Sequence, residues 1–134
     1  MNVLGALDKS RQLVVLIAEQ HSHMKLIPEQ CRELESRIEE LKEAYNDLEQ
    51  RNTKKMTPVA GRQVKAMLED MENHLEITPK ILEPIANRKS KVLSKTRWFL
   101  NAKKISEKLD KVISDLDKLQ VRYLLVHVLV AVGK

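Results

Sequence analysis

The side chains of this chain that could do chemistry are mostly cations, and they are clustered. From Pro84 to Ser106 there are seven bases (Arg88, Lys89, Lys91, Lys95, Arg97, Lys103 and Lys104) and no acid. From Arg51 to Lys65 there are five more (Arg51, Lys54, Lys55, Arg62 and Lys65), again without an acid. Between Pro28 and Gln50 the balance reverses, with eight acids against three bases. The formal net charge of +5 is therefore unevenly placed. A one-sided basic stretch attracts polyanions. An anionic lipid surface contributes about 1 kcal/mol per nearby base, so either basic run is enough to hold a domain on a membrane at moderate salt. Nucleic acid would use the same charge, but single-strand binding adds stacking aromatics, and here only Trp98 lies near. An acidic protein patch is a further partner class. A solvated basic face with no partner accounts for the same residues.

Residues of catalytic type are present without catalytic spacing. No glycine-rich phosphate loop, no H-E-x-x-H and no C-x-x-C pair occurs. The paired Glu-x-x-His motifs of a di-iron bundle are also missing. His21 and His23 are two apart, which on a helix points them away from each other and makes a poor metal pair. His74 could carry a phosphoryl group in a small helical phosphotransfer domain. The sequence after it, Leu75-Glu76-Ile77-Thr78, lacks the lysine and glycine usual there. Cys31 falls on an apolar seam, the position of a small buried hydrophobe rather than a nucleophile. The reading is of a non-enzyme with no catalytic residues, no metal and no cofactor.

Periodicity supplies the elements that must position these charges. Trp98, Ala102, Ile105, Leu109, Val112, Leu116, Leu119, Tyr123, Val126 and Val130 alternate at spacings of four and three, one apolar seam down a helix over 95–132. Ile113, Leu124, Leu125, Val128 and Leu129 flank it, so its last third is apolar nearly all round. That places Val121 to Val132 in the core, or else at an interface with a further domain. A first helix over 2–25 uses Val3, Leu7, Val14, Ile17 and Met24, widened by Leu4, Leu13 and Leu16. A second over 28–51 starts at Pro28, which suits a helix's first turn. It carries Ile27, Cys31, Leu34, Ile38, Leu41, Tyr45 and Leu48 at four-three spacing. Such a heptad serves a coiled coil or an intramolecular bundle equally, and the other amphipathic helices favour the bundle. A third helix over 58–86 has Thr57 as cap and Pro58 as first residue. It carries Val64, Leu68, Met71, Leu75, Leu82 and Ile85. Pro79 breaks or kinks it, with Thr78 capping any restart, and Pro84 frays its end. Asn87 to Lys95 is a polar connection with room for a helical turn around Ser90 to Leu93, and Ser94 or Thr96 caps the last helix.

The fold class that follows is all-α: an antiparallel four-helix bundle with a short extra helix or loop between helices 3 and 4. At 134 residues the chain fits one domain with one core. Aromatics are 3% and there are three glycines, which disfavours a sheet protein. One cysteine excludes an internal disulfide and points to reducing surroundings. The N-terminus lacks the pattern of a secretory signal, since Asp8, Lys9 and Arg11 interrupt it. Val121 to Val132 is shorter than the roughly 20 residues of a bilayer crossing. The blunt end at Gly133-Lys134 is that expected of a domain excised from a longer protein.

The whole pattern resembles the N-terminal helical-bundle domain of the mixed lineage kinase domain-like necroptosis effectors. It is similar also to the related HeLo-type domains of fungal and plant cell-death proteins. The residues that carry the likeness are the entry into helix 1 directly from Met1 and Gln30-Cys31-Arg32 opening helix 2. Further along are Arg97-Trp98-Phe99-Leu100-x-Ala102, then Leu109-x-x-Val112-x-x-x-Leu116-x-x-Leu119 running through Val121-Arg122-Tyr123-Leu124-Leu125. The resemblance implies a cytoplasmic cell-death or innate-immunity module, recruited to the plasma membrane. It implies homo-oligomerisation on activation, binding of phosphoinositides or other anionic lipids, and membrane perturbation. It also implies a regulatory pseudokinase or nucleotide-binding module in the same full-length chain. By charge class alone it adds Lys9 and Arg11 to the candidate lipid-binding set. Asp8 and Glu19 make helix 1 unlike a purely apolar inserting helix. The alternative from a different class is a non-lytic helical adaptor that docks partner proteins through its seam or its acidic second helix.

Overall fold

Small polar residues and prolines set the helix boundaries. In the computed structural model, which describes residues 2–87 and 95–132 and gives 95–100 as backbone alone, α1 runs Val3–Gln20, α2 Leu26–Gln50, α3 Pro58–Leu75, α4 Thr78–Ala86 and α5 Lys95–Val132. Among the described residues there is no strand. Asn2 is the cap of α1 rather than its first residue, its Oδ1 accepting from the Gly5 amide at 2.7 Å. That helix ends at Gln20, short of Lys25, where His21 turns the chain and its Nδ1 meets the Ile17 carbonyl at 3.0 Å. Leu26, not Pro28, opens α2, because the first amides of a helix need no intrahelical partner and a proline at the third position loses nothing. Thr57 caps α3 as expected, with Oγ1 accepting from the Ala60 amide at 3.2 Å and Pro58 first in the helix.

Of the break or kink expected at Pro79 within the helix over 58–86, the structure shows the break. Pro79 has no amide to offer Leu75, so the α-helical ladder stops and restarts at Thr78. Thr78 does not cap the restart: its hydroxyl donates back to the His74 carbonyl at 3.4 Å, and Ile77 holds the cap position without a side-chain bond. Nor does Pro84 end α4, which continues to Ala86. The turn over Ser90 to Leu93 and the cap at Ser94 or Thr96 lie outside the described residues or side chains. So do the Trp98 side chain and those of Lys95 and Arg97.

Cross-helix polar pairs fix the directions. Asp8 meets Lys42 and Arg11 meets Glu39, so α1 and α2 run in opposite senses. Gln30 meets Asp110, Arg37 meets Asp117 and Asp47 meets Tyr123. These pairs advance together, so α2 and α5, the most extensively packed pair, are parallel rather than antiparallel. The C-terminal half of α3 lies along α5, with Asp70 paired to Arg122. By contrast α4 packs mainly on α1. One core results, containing the whole expected α2 seam and Ala102, Ile105, Leu109, Val112, Leu116, Leu119, Val126 and Val130 of α5. Tyr123 is only half-buried.

The placing of Val121 to Val132 in the core holds only for Val126 and Val130. Val121, Leu124, Leu125, Val128, Leu129 and Val132 are all exposed. The cause is the path of α2 across α5. Asp110 and Asp117 face α2 early, but Tyr123 and His127 face its end, and they stand roughly a quarter to a third of a turn further round the helix. The contact line therefore rotates, and the opposite face of the last three turns is left uncovered.

Candidate functional site

The structure divides the sequence-predicted bases between the two ends of the bundle. The Gln30 amide donates to the Ser106 carbonyl at 3.1 Å, so exposed Lys103 and Lys104 lie at the end where α2 begins. The Arg51 guanidinium reaches His127 at 2.8 Å, so the chain that follows it, with Lys54 and Lys55, lies at the other end. The stretch of α5 between Lys104 and His127 is roughly 35 Å long at about 1.5 Å per residue. Lys103 and Lys104 thus do not share a surface with Lys54 and Lys55. Arg88, Lys89 and Lys91 lie outside the described residues.

Four bases lie at the far end. A 3-10 turn over Thr53–Lys55, capped by Asn52 through its Oδ1 to the Lys54 amide at 3.0 Å, folds against the first turn of α3. Gly61 faces this turn, and a side-chain carbon there would stand in van der Waals contact, 3.4 Å from the Thr53 carbonyl oxygen. Asp70 of α3 is level with Arg122, and His74 lies beside a groove running from Val112 to Arg122. Arg62 and Lys65, two to three turns before His74, are therefore level with the last turns of α5. Lys54, Lys55, Arg62 and Lys65 are exposed, and none has an ion-pair partner among the described residues. The uncovered apolar face of α5 stands between α3 and the end of α2 at this same end.

Other candidates are already engaged. Arg11 is paired with Glu39 at 3.2 Å on the flank of the bundle. Lys9 is half-buried beside it in sequence. Arg51 belongs to a cluster in which its guanidinium donates to Asp47 at 3.1 Å and to His127 at 2.8 Å, and Tyr123 donates its hydroxyl to Asp47 at 2.7 Å. Burial disfavours the Asp47 carboxylate, but the bonds from Tyr123 and Arg51 outweigh it and hold its pKa below the usual range. The Tyr123 hydroxyl is pushed up to about 12, first by burial and then by its bond to Asp47. The Arg51 bond to His127 uses the ring's Nδ1 as acceptor, which requires that nitrogen to be unprotonated.

The remaining chemistry-bearing residues are dispersed. Among the described residues no group of three or more His, Cys, Asp or Glu is placed to hold a metal ion. Cys31 is buried, and its thiol is pushed up to about 11 by burial and then by Glu35, the opposite of an activated nucleophile. His74 is exposed on α3. It borders a groove of about 350 Å³ between α4 and α5, walled by Ile77 and Ile81 and floored by Val112, Leu116 and Leu119. Sequence reasoning missed this groove and gave an open apolar surface at Val121 to Val132 only as the alternative to a core segment. The signal for the face was present in the near-complete apolar character of Val121 to Val132, which fits an uncovered surface as well as a core. No described helix is long and apolar enough to cross a membrane. Comparison of the chain with known protein families, with curated proteins and with solved structures gives no match.

Proposed function

We propose that this domain is a membrane-targeting, self-associating effector module of cell death or innate immunity, a helical bundle of the HeLo kind. In this reading it works in the cytoplasm and docks on the anionic face of the plasma membrane. The observation that carries the reading is that Lys54, Lys55, Arg62 and Lys65, without carboxylate partners, lie at the same end of the bundle as an uncovered apolar face of α5. At about 1 kcal/mol per base, four bases supply roughly 4 kcal/mol, which is an affinity near 1 mM. One copy alone is thus a weak binder. Linked copies gain avidity, which is why self-association belongs to the reading. The bases Arg88, Lys89, Lys91, Lys95 and Arg97 enter it on sequence charge alone. A regulatory pseudokinase or nucleotide-binding module in the full-length chain is the partner such a domain would answer to.

The rival is a non-lytic adaptor, favoured by the apolar groove between α4 and α5, which is open to a partner side chain or helix. Liposome sedimentation beside dye release separates the two. With phosphatidylserine or phosphoinositide vesicles, charge reversal of Lys54, Lys55, Arg62 and Lys65 is expected to abolish co-sedimentation, while reversal of Lys103 and Lys104 leaves it near wild type. Loss on reversing Arg88, Lys89, Lys91 and Lys95 instead would move the lipid site to that basic run. Binding without dye release favours the adaptor, and absence of binding to any anionic vesicle rejects the membrane reading.

A further inference from the structure

The uncovered face of α5 has an internal symmetry. Val121, Leu124, Leu125, Val128, Leu129 and Val132 follow one another at spacings of three, one, three, one and three. That pattern reads the same in both directions. All six are more than a third exposed, with Leu125 at 67% and Val132 at 78%. No charged residue lies on the face within this stretch, and Arg122 and His127 stand at its edges, each turned to a partner in its own bundle.

We propose that this face is the contact between two copies of the chain, paired antiparallel about a two-fold axis that passes between Leu125 and Val128. A closed two-fold interface requires one patch complementary to itself. The palindromic spacing supplies it: Val121 faces the second copy's Val132, Leu124 its Leu129, and Leu125 its Val128. The opposite sense is disfavoured by what lies upstream on the same face. In a parallel pair the same face would have to meet its copy upstream as well, but there Asp110 and Asp117 are covered by Gln30 and Arg37 of α2. In the antiparallel pair the overlap is confined to the last three turns and the two bundles project away from each other. The apolar area is sufficient. The six side chains expose on the order of 500 Å², at the upper end of the largest patch on an ordinary monomer. Two such patches together remove about 1,000 Å² from water, the threshold of a specific interface. Each copy carries a formal net charge of +5, so pairing brings like charges together. Added salt, by screening them, tightens the pair.

This proposal deepens the self-association in the reading above and is separable from its lipid part, because it predicts a dimer in lipid-free buffer. Sedimentation equilibrium of the whole chain is expected to show a monomer–dimer equilibrium that shifts towards dimer between about 0.1 and 0.5 M salt, the range over which surface charges become screened. Leu125→Asp and Val128→Asp each place a carboxylate in the contact without a counter-charge. Each should weaken dimerisation by more than about 30-fold with unchanged helical circular dichroism and melting, since both positions are exposed in the monomer. A Leu125→Cys chain mixed with a Val128→Cys chain should form the mixed disulfide faster than either forms its own. A monomer at all concentrations, or variants that dimerise like the wild type, overturns the proposal. Faster formation of the Val128→Cys homodisulfide overturns the antiparallel geometry. A monomer in buffer whose vesicle binding is lost in Leu125→Asp would assign the face to lipid chains, rejecting the dimer and keeping the membrane reading. A dimer with no affinity for anionic vesicles would do the reverse.

Discussion

The hydroxyl of Tyr123 donates to the Asp47 carboxylate at 2.7 Å, across the parallel packing of α5 on α2. It stands at the point where the contact between these helices turns away from the last three turns of α5. Arg51 shares the same carboxylate oxygen and ties it to His127 one turn further on. This small cluster therefore holds the end of α5 on the bundle by one edge while its outer face stays bare.

Tyr123→Phe keeps the ring and deletes the bond. A half-buried hydrogen bond to a charged acceptor is worth about 1–2 kcal/mol, so urea unfolding should show a loss of that size with an unchanged slope. Hydrogen exchange should rise chiefly in the amides after Tyr123. A uniform rise along α5 would instead mark Tyr123 as an ordinary core contact.

The tyrosines give a pH signature. Tyr123 is pushed up to about 12 by burial and by Asp47, and Tyr45 to about 12 by burial and by its bond to Glu49. Their folded pKa values lie above the unfolded value of about 10, so the unfolded chain gives up these protons first. The stability they contribute is complete below about pH 10 and is lost as pH rises towards 12. Asp47 acts at the acid end with opposite sense: its folded pKa is lowered, so its contribution is present above about pH 4 and is lost as pH falls through the folded value. Absorbance at 295 nm should show phenolate formation near pH 12 in the native protein, and Asp47→Asn should bring the Tyr123 transition down. Ionisation of both tyrosines at pH 10 in folded protein would contradict this environment.

Two leucines on one seam should differ. Leu109 is fully enclosed, whereas Leu116 forms the floor of the groove beside Ile77 and Ile81. Truncation of a buried leucine costs about 2–5 kcal/mol, rising with the cavity left behind. Leu109→Ala is expected near the top of that range and Leu116→Ala near the bottom, because an existing groove adjoins it. Equal losses in chemical denaturation would show that the groove closes in solution.

Much of this architecture is legible in the residue order because helix seams are local. The α2 seam from Ile27 to Leu48 is buried throughout, and the limits of α5 agree with those read from its periodicity. Thr57 before Pro58 marks a cap that forms. The candidate site was legible only as a list of bases. Charge counting along the chain placed Lys54 and Lys104 in equivalent roles, though they lie at opposite ends. It also could not see that Arg11 and Arg51 are taken up by Glu39 and Asp47.

The sequence by itself determined the helices, their buried edges and the charge each carries, since these depend on residues three and four apart. Tertiary structure alone decided that α2 and α5 run parallel, that α4 leans on α1 and leaves a groove beside α5, and that one side of Val121 to Val132 faces water. The physical reason is that an all-apolar helix segment has no edge preferred by its own sequence. Which side is covered depends on where the neighbouring helix crosses it, and α2 shifts round α5 to Tyr123 and His127 over the stretch where the bare face lies.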